Sequence, residues 1–342
     1  MSKSWLNKFL IVGLIAAVLA FAACTDDDSG GNTPTVAEDS GEENPEGRTV
    51  KIAFSAPGAD HGWLAAITEN ARAEAERWDD VELVLTEGTN DSAAQASQVE
   101  TLLQEDPDAL IILPHEGEAL TPAAQQAMDQ GVPVINLDRE FSTPSAYRTW
   151  IGGDNYGIGV SAGNYFAQQL DCEGKVVEIQ GLAGISVTEL RSQGFADAIE
   201  QCDGGIEIVA QQPADFLPDK GLSVMENVLQ AEPEIDAVYT HDDDMAMGVV
   251  AAIENADRQD EMFLTGAGGS SDAMDLIEQG GLYRATFLYN PSMSASAVRL
   301  ARLIALGAGM DDLIEPEVPS YIQLPASTVT QDNVGEFKDL GF

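Results

Sequence analysis

From Val50 onward the chain alternates short apolar runs with longer stretches in which apolar positions recur every three or four residues. The short runs are Val50–Ser55, Val81–Leu85, Ala109–Leu113, Pro133–Leu137, Lys175–Ile179, Ile206–Ala210, Ala237–Thr240, Met262–Thr265 and Arg284–Tyr289, and they read as strands. Between them, Trp63, Leu64, Ile67, Ala71, Ala75 and Trp78 fall one, three or four apart and predict a helix over 62–77. Phe195, Ala198 and Ile199 mark a second helix, and Val224, Val228 and Leu229 a third. Strict strand–helix alternation means parallel sheets with helices on both faces. Nine strands are many for one twisted open sheet. Gly152-Gly153-Asp154-Asn155 lies midway and reads as a boundary, so the expected fold is α/β with two doubly wound parallel-sheet lobes. Ligands of such sheets bind beyond the carboxyl ends of the strands.

The first 48 residues break this rhythm. Met1 to Lys8 carries two lysines, Phe9 to Ala23 is almost wholly apolar, and Ala22-Ala23-Cys24 follows. A basic start, an apolar run of about fifteen residues and small residues before a cut describe a secretory signal over 1–23. The small pair before a cysteine resembles the bacterial lipobox, with Cys24 as the lipidated residue. The other reading, an uncleaved anchor, is short for a span of about 20 residues. Residues 24–48 are rich in Asp, Glu, Gly, Ser, Asn, Thr and Pro and read as a flexible tether. Either way the expected location is extracytoplasmic, attached to a membrane.

Charge narrows the partners. Sixteen Lys and Arg stand against 58 Asp and Glu, a net charge of −42. Such a surface repels phosphate backbones, which argues against nucleic acid. It is also repelled by anionic lipid, so an anchor and not surface charge must hold it to the membrane. With Cys24 assigned to lipid, Cys172 and Cys202 remain. An even pair in an oxidising compartment reads as a disulfide, and two free thiols are the other reading. Each precedes a predicted strand, so neighbouring strands would bring them together.

Chemistry gathers after the strands. The first is followed by Asp60-His61-Gly62-Trp63, the third by Pro114-His115-Glu116, and the fourth ends in Asp138-Arg139. Arg191 follows the fifth and Asp215-Phe216 the sixth; His241-Asp242-Asp243-Asp244, Gly266-Ala267-Gly268-Gly269 and Tyr289-Asn290 come after the rest. Carboxylates, guanidinium forks and aromatic faces suit a polyhydroxylated ring, whose hydroxyls want paired, charge-assisted partners.

Several segments resemble the ribose-type periplasmic sugar-binding proteins of ABC importers. They include Asp215-Phe216, Lys220-Gly221-Leu222, Met225-Glu226-Asn227, Asp243-Asp244-Met245-Ala246-Met247-Gly248, and the stretch from Ile179 to Val187 with Arg191 and Gly194-Phe195. His241-Asp242 and Gly62-Trp63 are similar to the galactofuranose-binding branch. The resemblance implies a three-segment hinge, with crossings near Gly153-Asp154, Tyr289-Asn290 and Leu324-Pro325. One lobe would take residues 49–152 and 290–324, the other 153–289 and 325–342. By position, Trp63 and Phe216 match the family's aromatic sandwich and Asp138, Arg139 and Arg191 its charged hydrogen-bonders. Asp242 stands where ribose binders place an amide. His61, Leu113, Gly268 and Tyr289 depart from the ribose pattern, and His61 and Tyr289 join the expected ligand set. The resemblance thus implies a monomeric lipoprotein without cofactor, which captures a monosaccharide by hinge closure and passes it to an ABC permease.

Other readings compete. The same closed form could dock to a chemoreceptor or sensor kinase, or bind a polyol or signalling furanose. A lipid-anchored hydrolase or lyase would need a catalytic base beside Ser270 or Ser271, and no G-x-S-x-G is present. His61, His115 and His241 would suit zinc only if three separate loops converged. Of the acidic triplet, Asp244, with Asp243 as a second candidate, is expected to serve the helix dipole, and Asp242 to face the cleft.

Overall fold

The computed structural model describes residue 44 and residues 47–310 and 315–342. The signal, Cys24 and most of the tether lie outside the described residues. The chain runs β1 (Val50–Ser55), α1 (Gly62–Ala75), β2 (Val81–Leu85), α2 (Ser92–Leu103), β3 (Ala109–Ile112), α3 (Gly117–Asp129), β4 (Val134–Leu137) and β5 (Thr149–Gly153). It continues through α4 (Asn155–Gln169), β6 (Gly174–Gln180), α5 (Ser186–Ile199), β7 (Ile206–Pro213), α6 (Pro218–Ala231), β8 (Ala237–Thr240), α7 (Asp243–Asn255), β9 (Phe263–Gly268), α8 (Ser271–Gln279) and β10 (Tyr283–Leu288). Then come α9 (Met293–Leu306), β11 (Tyr321–Leu324), β12 (Thr328–Thr330) and α10 (Val334–Phe337).

Two six-stranded sheets result, in the orders β2-β1-β3-β4-β5-β11 and β7-β6-β8-β9-β10-β12. Among the described residues, every strand pairing within these two sheets is parallel except β10 with β12. The apolar runs are continuous because both sheet faces are covered. Along β1, Ile52 and Phe54 join one core cluster while Ala53 faces another with Leu110, Ile112 and Val134. The chain crosses between the sheets after β5, after β10 and after β11. The first and third crossings touch, through Asp154 N–H donating to Leu324 O at 2.9 Å.

The nine-strand expectation needs correction, because β5, β11 and β12 were not foreseen. Gly152-Gly153, read as a boundary, closes β5 as its last two residues. Its two glycines carry no pattern, although Trp150 and Ile151 before them are buried. β11 is an edge strand of alternating exposed and half-buried residues, and β12 has three residues. Both are too short or too polar to stand out.

Parallel pairing of β6 with β7 sets Gly174 beside Ile206. Cys172 and Cys202 lie just upstream, with Cα atoms 5.0 Å apart and sulfurs within bonding distance.

Candidate functional site

The loops after the strands of both sheets meet across one gap. Its walls are His61, Trp63, Asp138, Arg139, Val187, Arg191, Phe216, Asp242, Ala267, Gly268 and Tyr289, around about 350 Å³ of atom-free space that is partly open to solvent. All eight side chains singled out from the sequence are therefore brought together. From the first lobe, His61 is the N-cap of α1 and Trp63 stands in its first turn. Asp138 and Arg139 follow β4, Asp138 in the left-handed region at φ 64°. From the second lobe, Arg191 lies in α5 and Asp242 caps α7 by accepting from Met245 N at 2.9 Å. Phe216 follows β7 at φ 65°, a conformation rare for a bulky residue and of the kind that clusters at ligand sites. Tyr289 follows β10 at the second crossing.

A chain of hydrogen bonds ties the two lobes at this gap. Arg191 Nε donates to Asn155 Oδ1 at 3.0 Å, and Asn155 Nδ2 donates to Tyr289 Oη at 3.3 Å. The Tyr289 hydroxyl in turn donates to Asp138 Oδ1 in the first lobe. Trp63 Nε1 donates to Tyr289 O at 2.8 Å, and Trp63 N donates to Asp244 Oδ2 at 3.0 Å. Arg139 is anchored by His115 O at 2.7 Å and sits 3.9 Å from the Asp138 carboxylate. Arg191 also donates to His241 O and lies over the Tyr289 ring, 4.8 Å from its centre. Each guanidinium is thus held by backbone or amide oxygens on some of its nitrogens, leaving Nη2 without a partner among the described residues. An aromatic floor, two oriented cations and two carboxylates can grip a neutral polyhydroxylated molecule from both sides.

A model of the periplasmic binding protein domain matches residues 52–309. The chain belongs to the periplasmic binding protein family. It is 34% identical over 251 residues to the ribose import binding protein of Bacillus subtilis, which covers 73% of this chain and 78% of that protein. It is also 34% identical over 215 residues to the galactofuranose-binding protein of Escherichia coli, covering 60% and 66% of the two chains. Among solved structures, an ABC transporter solute binding protein from Bacillus halodurans with bound myo-inositol superposes with a TM-score of 0.79 at 26% identity. That superposition spans 86% of this chain and 98% of the other. Family membership makes this a binding protein and not an enzyme.

Burial dominates the electrostatics of this periplasmic binding protein's cleft. Burial raises the Asp138 carboxyl above its ordinary value, against the pull of Arg139 and the Tyr289 hydroxyl. Burial, then the Asp138 charge, raises Tyr289 well above the usual phenol range. Burial lowers Arg139 despite Asp138 beside it. His61 goes the other way: burial would lower it, but its 2.6 Å contact with Asp60 and the charges of Asp242 and Asp244 hold it above its ordinary value.

Asp242 is pushed up to about 7, chiefly by burial, with His61 opposing and Asp244 adding. Unfolded, it titrates near its ordinary 3.8, so the folded state holds the extra proton between those values. Its contribution to stability is fully present below pH 3.8 and is lost as pH rises through about 7. Asp242→Asn keeps a capping side chain that cannot ionise. Paired thermal melts from pH 5 to 8 should show the variant's midpoint gaining on the wild type as pH rises. A difference that is flat or shrinks with pH contradicts this.

Three expectations around the rim are corrected or extended. His241 does not face the gap: its side chain is fully buried, its Nε2 donating to Glu178 Oε1 at 2.8 Å. Burial lowers the His241 pKa below its ordinary value, against the pull of Glu178; Nδ1 has no hydrogen-bond partner among the described residues. Against burial, the contact with His241 and the hydrogen bonds from Ser192 and Gln211 hold the Glu178 carboxyl below its ordinary value. Asp243, a second candidate for serving the helix dipole, does stand in the first turn of α7 but is also a buried acceptor for Tyr283, Thr286, Gly269 and Ser270. Asp244 does more than serve the helix dipole, since it receives Trp63 N from the other lobe. His115 sits beside the gap, lining an adjoining pocket with Asp60, Asn90 and Lys220. Among the described residues no group of three or more His, Cys, Asp and Glu is placed to hold a metal ion. Asn155 was read only as the end of the expected boundary, and Val187 and Ala267 lay in stretches singled out from the sequence without joining the expected ligand set.

Proposed function

We propose that this protein captures a monosaccharide between its two lobes outside the cytoplasm and delivers it to an ABC permease. One observation carries the reading. The gap is walled from both sheets by two guanidinium groups, two carboxylates and aromatic rings, so a ligand bonding to all of them stabilises only the closed form. The ribose and galactofuranose import relatives support the substrate class. His61, Trp63, Asp138, Arg139, Arg191, Phe216, Asp242 and Tyr289 are assigned as ligand contacts. The lobes are assigned as residues 49–152 with 290–324 and 153–289 with 325–342, and the three crossings between them form the hinge. Thermal-shift screening of the full chain in mild detergent against pentoses, hexoses, furanoses and polyols tests the reading. A specific ligand at a hundredfold excess over its dissociation constant should add about 2.7 kcal/mol. If no carbohydrate raises the midpoint, the reading fails.

Export also assigns the N-terminus and the cysteines. Cys24 is lipidated after cleavage of 1–23, and residues 24–48 tether the lobes to the membrane. Cys24→Ala should release the protein from membranes, as read by fractionation, while leaving carbohydrate affinity unchanged. Cys172 and Cys202 form a disulfide in that oxidising compartment, closing a loop of 30 residues. In the chain-entropy model such a loop contributes roughly 3–4 kcal/mol. Denaturant unfolding with and without reductant should show a loss of that order, and superimposable curves would argue for free thiols.

A further inference from the structure

The hydrogen-bonding groups of the gap are unevenly placed. Across the second sheet, in the order β7, β6, β8, β9 and β10, the strand ends bring Phe216, then Val187 with Arg191, then Asp242, then Ala267-Gly268, then Tyr289. Arg191, Asp242 and Tyr289 can donate or accept. Val187, Ala267 and Gly268 add only hydrocarbon or backbone.

That gap in polarity is built in. Gly268 has φ 135°, a backbone conformation L side chains rarely adopt, so no side chain is readily placed there. Its carbonyl already accepts from Tyr289 N at 2.9 Å. The nearby carboxylate of Asp243 is turned beneath the loop and saturated. Oδ2 accepts from Gly269 N at 2.6 Å and Ser270 N at 2.9 Å, Oδ1 accepts from Tyr283 at 2.7 Å, and Thr286 lies within 2.9 Å of both oxygens. Ala267 is wholly buried, and Val187 lies on the other side of Asp242, packed with Ile185 and Phe216. A ligand hydroxyl aimed at this wall would lose water and gain no side-chain partner, whereas a methyl or methylene there buries apolar surface.

Resting on the carbohydrate reading above, we propose that the ligand is a deoxy sugar, with its hydroxyl-free edge against Ala267 and Gly268, between Asp242 and Tyr289. Hydroxyls on its other edges meet Asp138, Arg139, Arg191 and Asp242. A hydrophobic wall rejects an added hydroxyl by up to about a hundredfold, which sets the scale of the preference.

Titration calorimetry of the full chain against matched pairs tests this. The pairs are D-galactose and D-fucose, L-galactose and L-fucose, L-mannose and L-rhamnose, D-glucose and 6-deoxy-D-glucose, and D-ribose and 2-deoxy-D-ribose. In the tightest-binding pair the deoxy member should bind at least about tenfold more tightly than its hydroxylated counterpart. Ala267→Ser adds a hydroxyl to this wall and should narrow that ratio several-fold. A hydroxylated member that binds as tightly or more tightly in that pair overturns the proposal, as does a ratio that Ala267→Ser leaves untouched. Failure of every sugar to bind removes the carbohydrate reading and this proposal together.

Discussion

Arg191→Ala should weaken carbohydrate binding by more than a hundredfold, about 3 kcal/mol, measured by titration calorimetry. Removing one member of a buried, hydrogen-bonded charge arrangement typically loses 2 kcal/mol or more. Here the guanidinium is nearly inaccessible, at 3 % exposure. It orients Asn155 and, through it, Tyr289, while its free edge faces the gap. Its loss leaves Asn155 Oδ1 and His241 O short of a donor, so the unfolding midpoint should fall as well. Arg258→Ala separates the two effects. Arg258 donates to Leu229 O, Glu232 O and Pro233 O at the amino ends of the second sheet. That variant should lose stability and keep its affinity. Affinity of Arg191→Ala within threefold of the wild type would remove Arg191 from the site.

Gly153→Ala should act through a different route. A Cβ at Gly153 would stand well inside van der Waals contact of the Tyr289 ring. The ring cannot yield freely, because it packs 5.4 Å from the Trp63 ring and its hydroxyl is held by Asp138. Displacing it overpacks the crossing, at about 1–3 kcal/mol, and separates the Tyr289 hydroxyl from the buried Asp138 carboxylate. Unfolding stability should fall by that amount and ligand affinity by tenfold or more. A double-mutant cycle with Tyr289→Ala isolates the contact. If the penalty of Gly153→Ala persists undiminished without the tyrosine ring, the hinge packing is wrongly assigned.

The parts of this molecule legible in its sequence are those whose physics is local. Ile52 to Phe54 and Ala109 to Ile112 read as strands because both faces of the sheet are buried, leaving runs unbroken by polar residues. Topology placed the rim, because doubly wound sheets gather the residues after each strand, and the resemblance to sugar-binding proteins then singled out Arg139, Arg191 and Asp242 among them. The features that escaped depend on pairs distant in the chain. Asn155 matters because Tyr289 lies 134 residues away, and Asp244 because Trp63 lies 181 residues away. His241 looked like a rim residue by position, yet its side chain turns inward to Glu178, a partner 63 residues upstream that alternation alone would not single out. β5 was hidden by Gly152 and Gly153, whose lack of side chains looks like a linker; at Gly153 it serves instead to admit the Tyr289 ring.

Capture between two lobes is tested by a crystal structure of the protein with its tightest-binding carbohydrate. One sugar ring is expected in the gap, hydrogen-bonded at once to Asp138 or Arg139 of the first lobe and to Arg191 or Asp242 of the second. A sugar lying elsewhere, or touching the residues of one lobe only, would contradict it.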